Sequence, residues 1–145
     1  MIYLETGQNN IVWGTCSRNK TLANPTYLWS MTHKLTNKVW RFIPFRIVPT
    51  TDYTTPYDLF TINIDYNTPE VYTGATSSGS TVNIHFTPGQ YFVKVYEQTS
   101  TTNLNPQLAT EVVWDSTATV FDPTLPPNNL VSYPAKTDIF KVYEG

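Results

Sequence analysis

The sequence PGQYFVKVYE, residues 88–97, consists of a turn followed by a segment of alternating side chains. Gly89, Tyr91 and Val93 occupy every second position of this segment. Because successive side chains of a β-strand point to opposite faces, the spacing predicts a strand with one buried face. The Pro-Gly pair at its start is typical of a turn. We therefore predict a structural corner, at which the chain turns at Gly89 and enters a core strand through Tyr91 and Val93.

The same two-residue periodicity occurs along most of the chain. TYLWSMTH (26–33), YDLFTINID (57–65) and TVNIHFTP (81–88) alternate in this way and are rich in β-branched and aromatic residues, as half-buried strands are. No segment of helical length has an apolar stripe, and LNPQLAT (104–110) has room for one turn at most. We predict an all-β fold with strands near residues 1–5, 10–15, 26–33, 38–47, 57–66, 81–86, 90–97 and 111–120.

Two local signals refine the prediction of the strands around residues 34–47. KLTNK (34–38) lies between two predicted strands and is typical of a hairpin loop. Pro44 falls inside the predicted 38–47 strand, where it has no N–H to donate to a neighbouring strand. We therefore expect a sheet edge or a bulge at Pro44.

The composition changes after about residue 120. FDPTLPPNNLVSYP (121–134) contains four prolines in 14 residues, which favours an extended, stiff chain that buries little of itself. We predict a β-sandwich domain over residues 1–120 and a Pro-rich arm over 121–145 that ends in the short strand DIFKVYEG. The candidate partner-binding residues are the apolar side chains of this arm: Leu125, Leu130, Tyr133, Ile139, Phe140, Val142 and Tyr143.

The corner at residues 89–93 resembles the start of the sixth strand in immunoglobulin-type domains. There a glycine is followed two residues later by a tyrosine, whose hydroxyl bonds back to the backbone, and then by a buried residue. This resemblance implies an Ig-like antiparallel β-sandwich with Trp29 as its core tryptophan and residues 98–110 as the loop between the last two core strands. Val93 stands where antibody domains have cysteine.

Charge and cysteine content exclude several classes of protein. Charged residues make up 14% of the chain and the net charge is −2, whereas soluble domains average about 25% charged residues. No basic stripe is present, so we expect no nucleic-acid partner. The chain has neither a secretory signal pattern nor an apolar run of about 20 residues, so we expect a soluble protein, made in a cytoplasm, without a membrane partner. Cys16 is the only cysteine, and we expect it to be a partly buried apolar residue.

The titratable residues do not form a recognisable catalytic or metal-binding motif. His33 and His85 lie on different predicted strands and are expected on the surface. Asp58, Asp65 and Glu70 fall within one strand and turn, where a carboxylate pair would serve glycosidic hydrolysis. Asp58 and Asp65 are of opposite parity, however, and we expect solvated charges. DYNTPE (65–70) offers oxygens to calcium but lacks the repeated carboxylates of a calcium loop. We expect no catalytic residue, metal or cofactor, and hence no enzyme.

Aromatic residues are plentiful enough to fill a core and also to form a binding face. Most of the four tryptophans are expected in the core, and Trp40 is the expected exception because its parity differs from that of Val39 and Ile43. Four tyrosines crowd one turn-rich region and are candidates for a contact patch: Tyr53, Tyr57, Tyr66 and Tyr72.

Three stretches resemble small virion proteins of tailed bacteriophages, crAss-like phages in particular. They are LANPTYLWSMTHKLTNKVWRFIP (22–44), TTPYDLFTINI (54–64) and TPGQYFVKVYEQTSTTNLNP (87–106). The matching residues are Leu22, Asn24, Pro25, Tyr27, Leu28, Thr36, Asn37, Arg41, Phe42, Ile43, Gly89, Tyr91, Val95, Tyr96, Glu97, Gln98, Ser100, Thr102, Asn103, Leu104 and Pro106. The resemblance implies a structural role on the virion as an auxiliary or decoration protein, with the major capsid protein, other virion proteins or further copies of itself as partners.

The sequence departs from that pattern in two segments. Two other functions compete with the virion role. The 67–80 segment and the extension from residue 121 are longer than the pattern, so the resemblance does not distinguish the head shell from a head fibre or the tail. The first rival is a carbohydrate-binding or adhesin-type module that stacks sugars on exposed Tyr and Trp rings. The second, a small hydrolase, is disfavoured because no catalytic constellation is apparent.

Overall fold

The strands of the molecule form two sheets that pack face to face. The computed structural model describes residues 1–23, 25–47, 58–74 and 81–124. Within these ranges the strands are β1 Ile2–Glu5, β2 Asn9–Gly14, β3 Thr26–His33, β4 Val39–Phe42, β5 Phe45–Ile47, β6 Asp58–Asn63, β7 Val82–Asn83, β8 Gly89–Gln98 and β9 Glu111–Phe121. The described helical segments are two short 3₁₀ turns, Cys16–Asn19 and Pro106–Leu108. The predicted all-β sandwich is confirmed.

The two sheets have different orders and sizes. One has five strands in the order β1-β9-β8-β3-β4, in which β1 runs parallel to β9 and the other neighbours are antiparallel. The second has the order β2-β6-β5, and β7 pairs in parallel with the end of β6 that β5 leaves unpaired. Strand β9 includes Phe121, which pairs with Glu5, so the sandwich extends one residue into the segment predicted as arm.

Pro44 marks the point where the chain leaves one sheet for the other. Strand β4 ends at Phe42 and β5 begins at Phe45, so the predicted 38–47 strand is divided in two. Both strands lie at the edges of their sheets as described, where the missing N–H of proline costs no ladder hydrogen bond. The prediction of an edge at Pro44 is confirmed.

The core is built around Trp29, which contacts both sheets. Its ring lies 6.0 Å from Phe42, 5.1 Å from Phe60 and 5.7 Å from Trp114, measured between centroids. Each large side chain that is buried in this way stabilises the fold by about 1.5–3 kcal/mol. The predicted inward rows of β6, β7 and β8 are buried as expected: Phe60, Ile62, Ile64, Val82, Ile84, Phe86, Val93 and Val95.

Trp40 lies in the core, so the expectation of an exposed Trp40 is wrong. Trp40 is 5% exposed and packs against Phe86 and Tyr91, whereas Val39 is 39% exposed. A strand has a period of two, so an error of one residue in phase exchanges its two faces. The exposed tryptophan is Trp13 instead, with 61% of its surface accessible.

His33 is a buried structural residue, so its expected surface position is also wrong. Its Nδ1 accepts hydrogen bonds from the backbone N–H groups of Leu35 and Thr36, at 3.2 and 3.3 Å. Its Nε2 lies 3.3 Å from the Pro88 carbonyl oxygen. His85 is half-buried, and its Nε2 is 2.7 Å from the Thr68 carbonyl oxygen. Both histidines therefore hold loops in place.

The corner residues connect the β3–β4 hairpin to the start of β8. The Tyr91 hydroxyl donates a hydrogen bond to the Thr87 carbonyl, and the ring is fully buried. Gly89 has φ +146°, and a Cβ atom at this position would lie 2.5 Å from His33 Nε2. Only glycine satisfies both the backbone conformation and the contact. Val93, two residues further along β8, is also buried.

We predict that Gly89→Ala lowers the free energy of unfolding by more than the roughly 1–3 kcal/mol that a strained backbone costs, because the new methyl group also collides with His33. The matched control is Gly7→Ala, where φ is +81° and nothing lies within 4 Å of a Cβ. Urea unfolding of the two variants measures the difference. Equal losses for both variants would contradict a packing role for Gly89.

Candidate interaction site

Glu97, near the end of β8, contacts both the β2–β3 loop and the last residue of the β8–β9 loop. Its side chain is fully buried, and its oxygens accept hydrogen bonds at 2.8–2.9 Å from the backbone and hydroxyl of Thr21 and from the backbone of Leu22. Its backbone carbonyl accepts from the Thr110 N–H at 2.8 Å. Glu97 therefore holds the first loop through its side chain and the end of the second through its backbone.

The carboxylate of Glu97 is ionised, and its oxygens accept hydrogen bonds from donors of the protein itself. Burial acts to raise its pKa, but the hydrogen bonds from Thr21 and Leu22 outweigh burial and hold the pKa below its ordinary value. Hydrogen bonds to a charged group are about twice as strong as neutral ones. Glu97 is therefore a structural residue.

The loop that follows Glu97 is folded by its own side chains. Gln98 is 2% exposed, and its Nε2 donates to the carbonyl oxygens of Ser100 and Asn103 at 3.0 and 2.9 Å. Asn103 Nδ2 donates back to Gln98 Oε1 at 2.8 Å. Ser100 Oγ accepts from the N–H groups of Thr102 and Asn103. These internal hydrogen bonds give the loop a defined shape.

Asp58 is buried in an ion pair, so the expectation of a solvated carboxylate is wrong. It is 2% exposed, lies 2.8 Å from Arg46 Nη2 and accepts from Arg46 Nε at 2.9 Å. It also accepts from the Ser17 N–H at 2.8 Å. A buried charge persists only when it is paired and hydrogen-bonded, and both conditions are met here.

Oxygen atoms of the 65–70 turn surround the side-chain amide of Asn83. Asn83 Nδ2 lies 2.8–3.1 Å from the carbonyl oxygens of Asp65, Thr68 and Pro69 and from the Thr68 hydroxyl. Asp65 and Glu70 accept hydrogen bonds from neighbouring groups. Within the described ranges no cluster of three His, Cys, Asp or Glu side chains is placed to hold a metal ion.

The remaining candidate residues have internal roles where they are described. Cys16 is fully buried, and burial together with the nearby Asp58 charge raises the pKa of its thiol. The Tyr66 and Tyr72 rings are partly exposed, and their hydroxyls donate to the Phe86 carbonyl and to Glu70. Tyr53 and Tyr57 lie outside the described residues. So do all seven candidate partner-binding residues of the arm.

An exposed apolar strip follows one edge of the sandwich, and we call it the edge strip. It consists of Met1, Tyr3, Ile11 and Trp13, each at least 60% exposed. Met1 precedes β1, Tyr3 lies on β1, and Ile11 and Trp13 lie on β2. Strands β1 and β2 are edge strands of the two sheets, and the four side chains border one shallow depression. An outward row of this kind is normally polar, so the edge strip is a candidate protein contact.

The edge strip was not predicted from the sequence because the phase of β2 depends on a tertiary contact of Asn10. Asn10 lies on the inward row because its amide bonds the Glu5 backbone at 2.9 and 3.1 Å and the Ile62 carbonyl at 3.3 Å. With the polar residue inside, Ile11 and Trp13 necessarily face outward.

Comparison with known proteins yields no relative. No protein-family model, curated protein or solved structure matches this chain. None of the helical turns in the described part of the chain is long and apolar enough to cross a membrane.

We predict that Glu97→Gln lowers the free energy of unfolding at pH 7 by about 1.5–3 kcal/mol, the range for hydrogen bonds to a charged group. Because the folded pKa of Glu97 lies below the unfolded one, its stabilisation is complete above the ordinary glutamate pKa, 4.5. It is lost as the pH falls through the lowered folded value.

Urea unfolding from pH 7 to pH 3 should therefore show a shallower acid decline for Glu97→Gln than for the unsubstituted protein. Glu5→Gln, at a half-buried position on β1, is the matched control and should change neither quantity. A Glu97→Gln protein with unchanged stability and acid profile would refute the structural role.

Proposed function

We propose that this chain is a non-enzymatic structural protein of a bacteriophage virion. It acts as an auxiliary or decoration protein that binds the capsid shell or neighbouring virion proteins. The observation that carries the proposal is the edge strip, because large apolar side chains gathered on one edge of a small domain are typical of a protein contact.

The strand order supports the Ig-like description of the sandwich. Strands β9, β8, β3 and β4 correspond to strands G, F, C and C′ of a variable-type domain, and β2, β6 and β5 correspond to B, E and D. The Tyr91 hydroxyl bond to Thr87 and the buried Trp29 on the third strand agree with the same assignment.

The loop that follows β8 contains several of the residues matched to phage virion proteins. Among them, Gln98, Ser100 and Asn103 take part in one hydrogen-bond network. A loop with a fixed shape loses little conformational entropy when a partner binds. This suits a protein that is held permanently among neighbours.

The edge strip also favours the alternative of a carbohydrate-binding or adhesin-type module. The Tyr3 and Trp13 rings are 67% and 61% exposed, and sugars stack on such rings. The strip also contains Met1 and Ile11, whose side chains have no flat face for a sugar ring, and this favours a protein partner. A glycan array separates the two, since only the alternative predicts sugar binding that is lost in Tyr3→Ser.

We predict that Tyr3→Ser/Ile11→Ser weakens attachment to virions assembled without this protein by at least about tenfold, because each apolar side chain buried at an interface contributes about 1.5–3 kcal/mol. The control is Leu35→Ser/Leu108→Ser, which removes exposed apolar side chains from the β3–β4 and β8–β9 loops. Co-sedimentation with purified particles measures attachment. Equal attachment by both double variants would exclude the edge strip as the contact.

A separate prediction concerns the Pro-rich arm, which we propose as a second contact with the virion. Removal of residues 125–145 should leave a folded sandwich, because β9 ends at Phe121 and Asp122 closes the following turn by accepting from the Thr124 N–H at 2.9 Å. The truncated protein should keep its unfolding midpoint and lose attachment to particles. Full attachment of the truncated protein would disprove the arm's role.

A further inference from the structure

The outward face of the five-stranded sheet carries cations around one exposed aromatic ring. The register of the strands places two rows of side chains across this face. The rows are Arg41, Ser30, Lys94 and Asp115, and Val39, Thr32, Phe92 and Thr117. Each of these side chains is at least partly exposed, because alternate residues of β3, β4, β8 and β9 point away from the core.

The pairing of the strands brings the charges close together. Arg41 and Lys94 pair with Ser30 from opposite sides, so their Cα atoms lie about 10 Å apart. Phe92 is two residues from Lys94 on the same face of β8, and 56% of its surface is exposed. The Lys34 ammonium lies 4.7 Å from the centre of the Phe92 ring. We call Lys34, Arg41, Phe92 and Lys94 the basic face.

The fold holds the backbone of the basic face in place. Strands β3 and β8 are interior strands of the sheet, and β8 pairs along its length with β3 and β9. The Lys34 N–H donates to the Gln90 carbonyl at 2.9 Å, which keeps the start of the β3–β4 loop beside β8. A partner therefore meets a preorganised surface, and this lowers the entropic cost of binding.

The basic face is electropositive although the chain as a whole is not. Within the two rows and the basic face, three cations accompany one acid, Asp115, whose carboxylate lies 3.7 Å from Lys94 Nζ. Both side chains of this pair are more than half exposed, so water weakens their attraction and the positive potential persists. The net charge of the chain is −2. The face is thus locally opposite in sign to the molecule, and it favours an acidic partner.

Other occupants fit the basic face less well. The same face of a second copy would bring like charges together, which disfavours symmetric self-pairing. A purely apolar surface would bury the cations without a counter-charge. A nucleic acid gains its affinity from many phosphate contacts, and three cations beside a carboxylate offer few. An acidic protein segment that also carries an apolar side chain satisfies both the cations and the exposed ring.

We propose that the basic face docks an acidic segment of a partner protein, with carboxylates at Arg41 and Lys94 and an apolar side chain on Phe92. Arg41 binds a carboxylate through two parallel hydrogen bonds, whereas Lys94 acts as a point charge. Tyr3 of the edge strip lies on the same face of the sheet, beyond β9, so the two surfaces adjoin but differ in chemistry. The inference does not depend on the virion role proposed above.

The test uses the isolated full chain and the peptide acetyl-EEFEE-amide, which carries glutamates on both sides of one phenylalanine. NMR titration at low salt should show saturable shifts of Ser30, Phe92 and Lys94 signals, with a dissociation constant on the order of 1 mM for a few exposed ion pairs and one covered ring. Acetyl-QQFQQ-amide lacks the charges and acetyl-EEGEE-amide lacks the ring, and each should bind at least about fivefold more weakly. No saturable shift with the first peptide, or equal binding of either control peptide, would overturn the proposal.

Two double variants with the same change in net charge locate the binding. Arg41→Gln/Lys94→Gln should weaken the acidic peptide at least about fivefold, because it removes two exposed ion pairs. Lys20→Gln/Lys38→Gln removes two exposed cations outside the basic face and should bind as the unsubstituted chain does. All four positions are exposed, so the urea unfolding midpoints should stay unchanged. Equal binding by the two double variants would overturn the assignment of the site.

Salt and a nucleic-acid probe test the class of partner. Raising the salt from about 10 mM to about 1 M shortens the reach of exposed charges and should weaken the acidic peptide at least about fivefold. A single-stranded oligothymidylate with as many phosphates as the peptide has carboxylates should bind more weakly. Tighter binding of the oligonucleotide, or binding of the peptide that salt does not change, would overturn the proposal. Virion attachment is measured separately with the edge-strip variants, so each proposal can fail without the other.

Discussion

The packing of Trp29 against rings from both sheets is the interaction on which the other features of the sandwich depend. The indole is fully buried and lies within 6.0 Å of Phe42, Phe60 and Trp114 between centroids. These three rings come from β4, β6 and β9, so one side chain sets the separation and register of four strands. Phe60 also packs edge-on against Tyr27 at 5.9 Å between centroids, which extends the aromatic cluster along β3.

The sequence was sufficient for features that depend on local spacing and insufficient for those that depend on distant partners. The corner at Tyr91 and the break at Pro44 follow from a period of two and from the missing proline N–H, both of which can be read from neighbouring residues. Asp58 was misjudged because Arg46, its partner in the buried ion pair, lies on a different strand. The structural role of Glu97 was missed because its hydrogen-bond donors, Thr21 and Leu22, lie 76 and 75 positions away in the sequence.

The edge strip gives the proposed virion protein a candidate contact surface along β1 and β2. At the β8–β9 loop, the side chains of Gln98 and Asn103 hydrogen-bond to each other and to the loop backbone. The low charge of the chain agrees with contacts that depend on apolar burial.

Quantitative mass spectrometry of purified and washed phage particles tests the proposed virion assignment most directly. If the chain is an auxiliary or decoration protein, it should be present in a fixed ratio to the major capsid protein, because a symmetric shell offers equivalent sites. Its absence from washed particles that retain their complete shell would contradict the account.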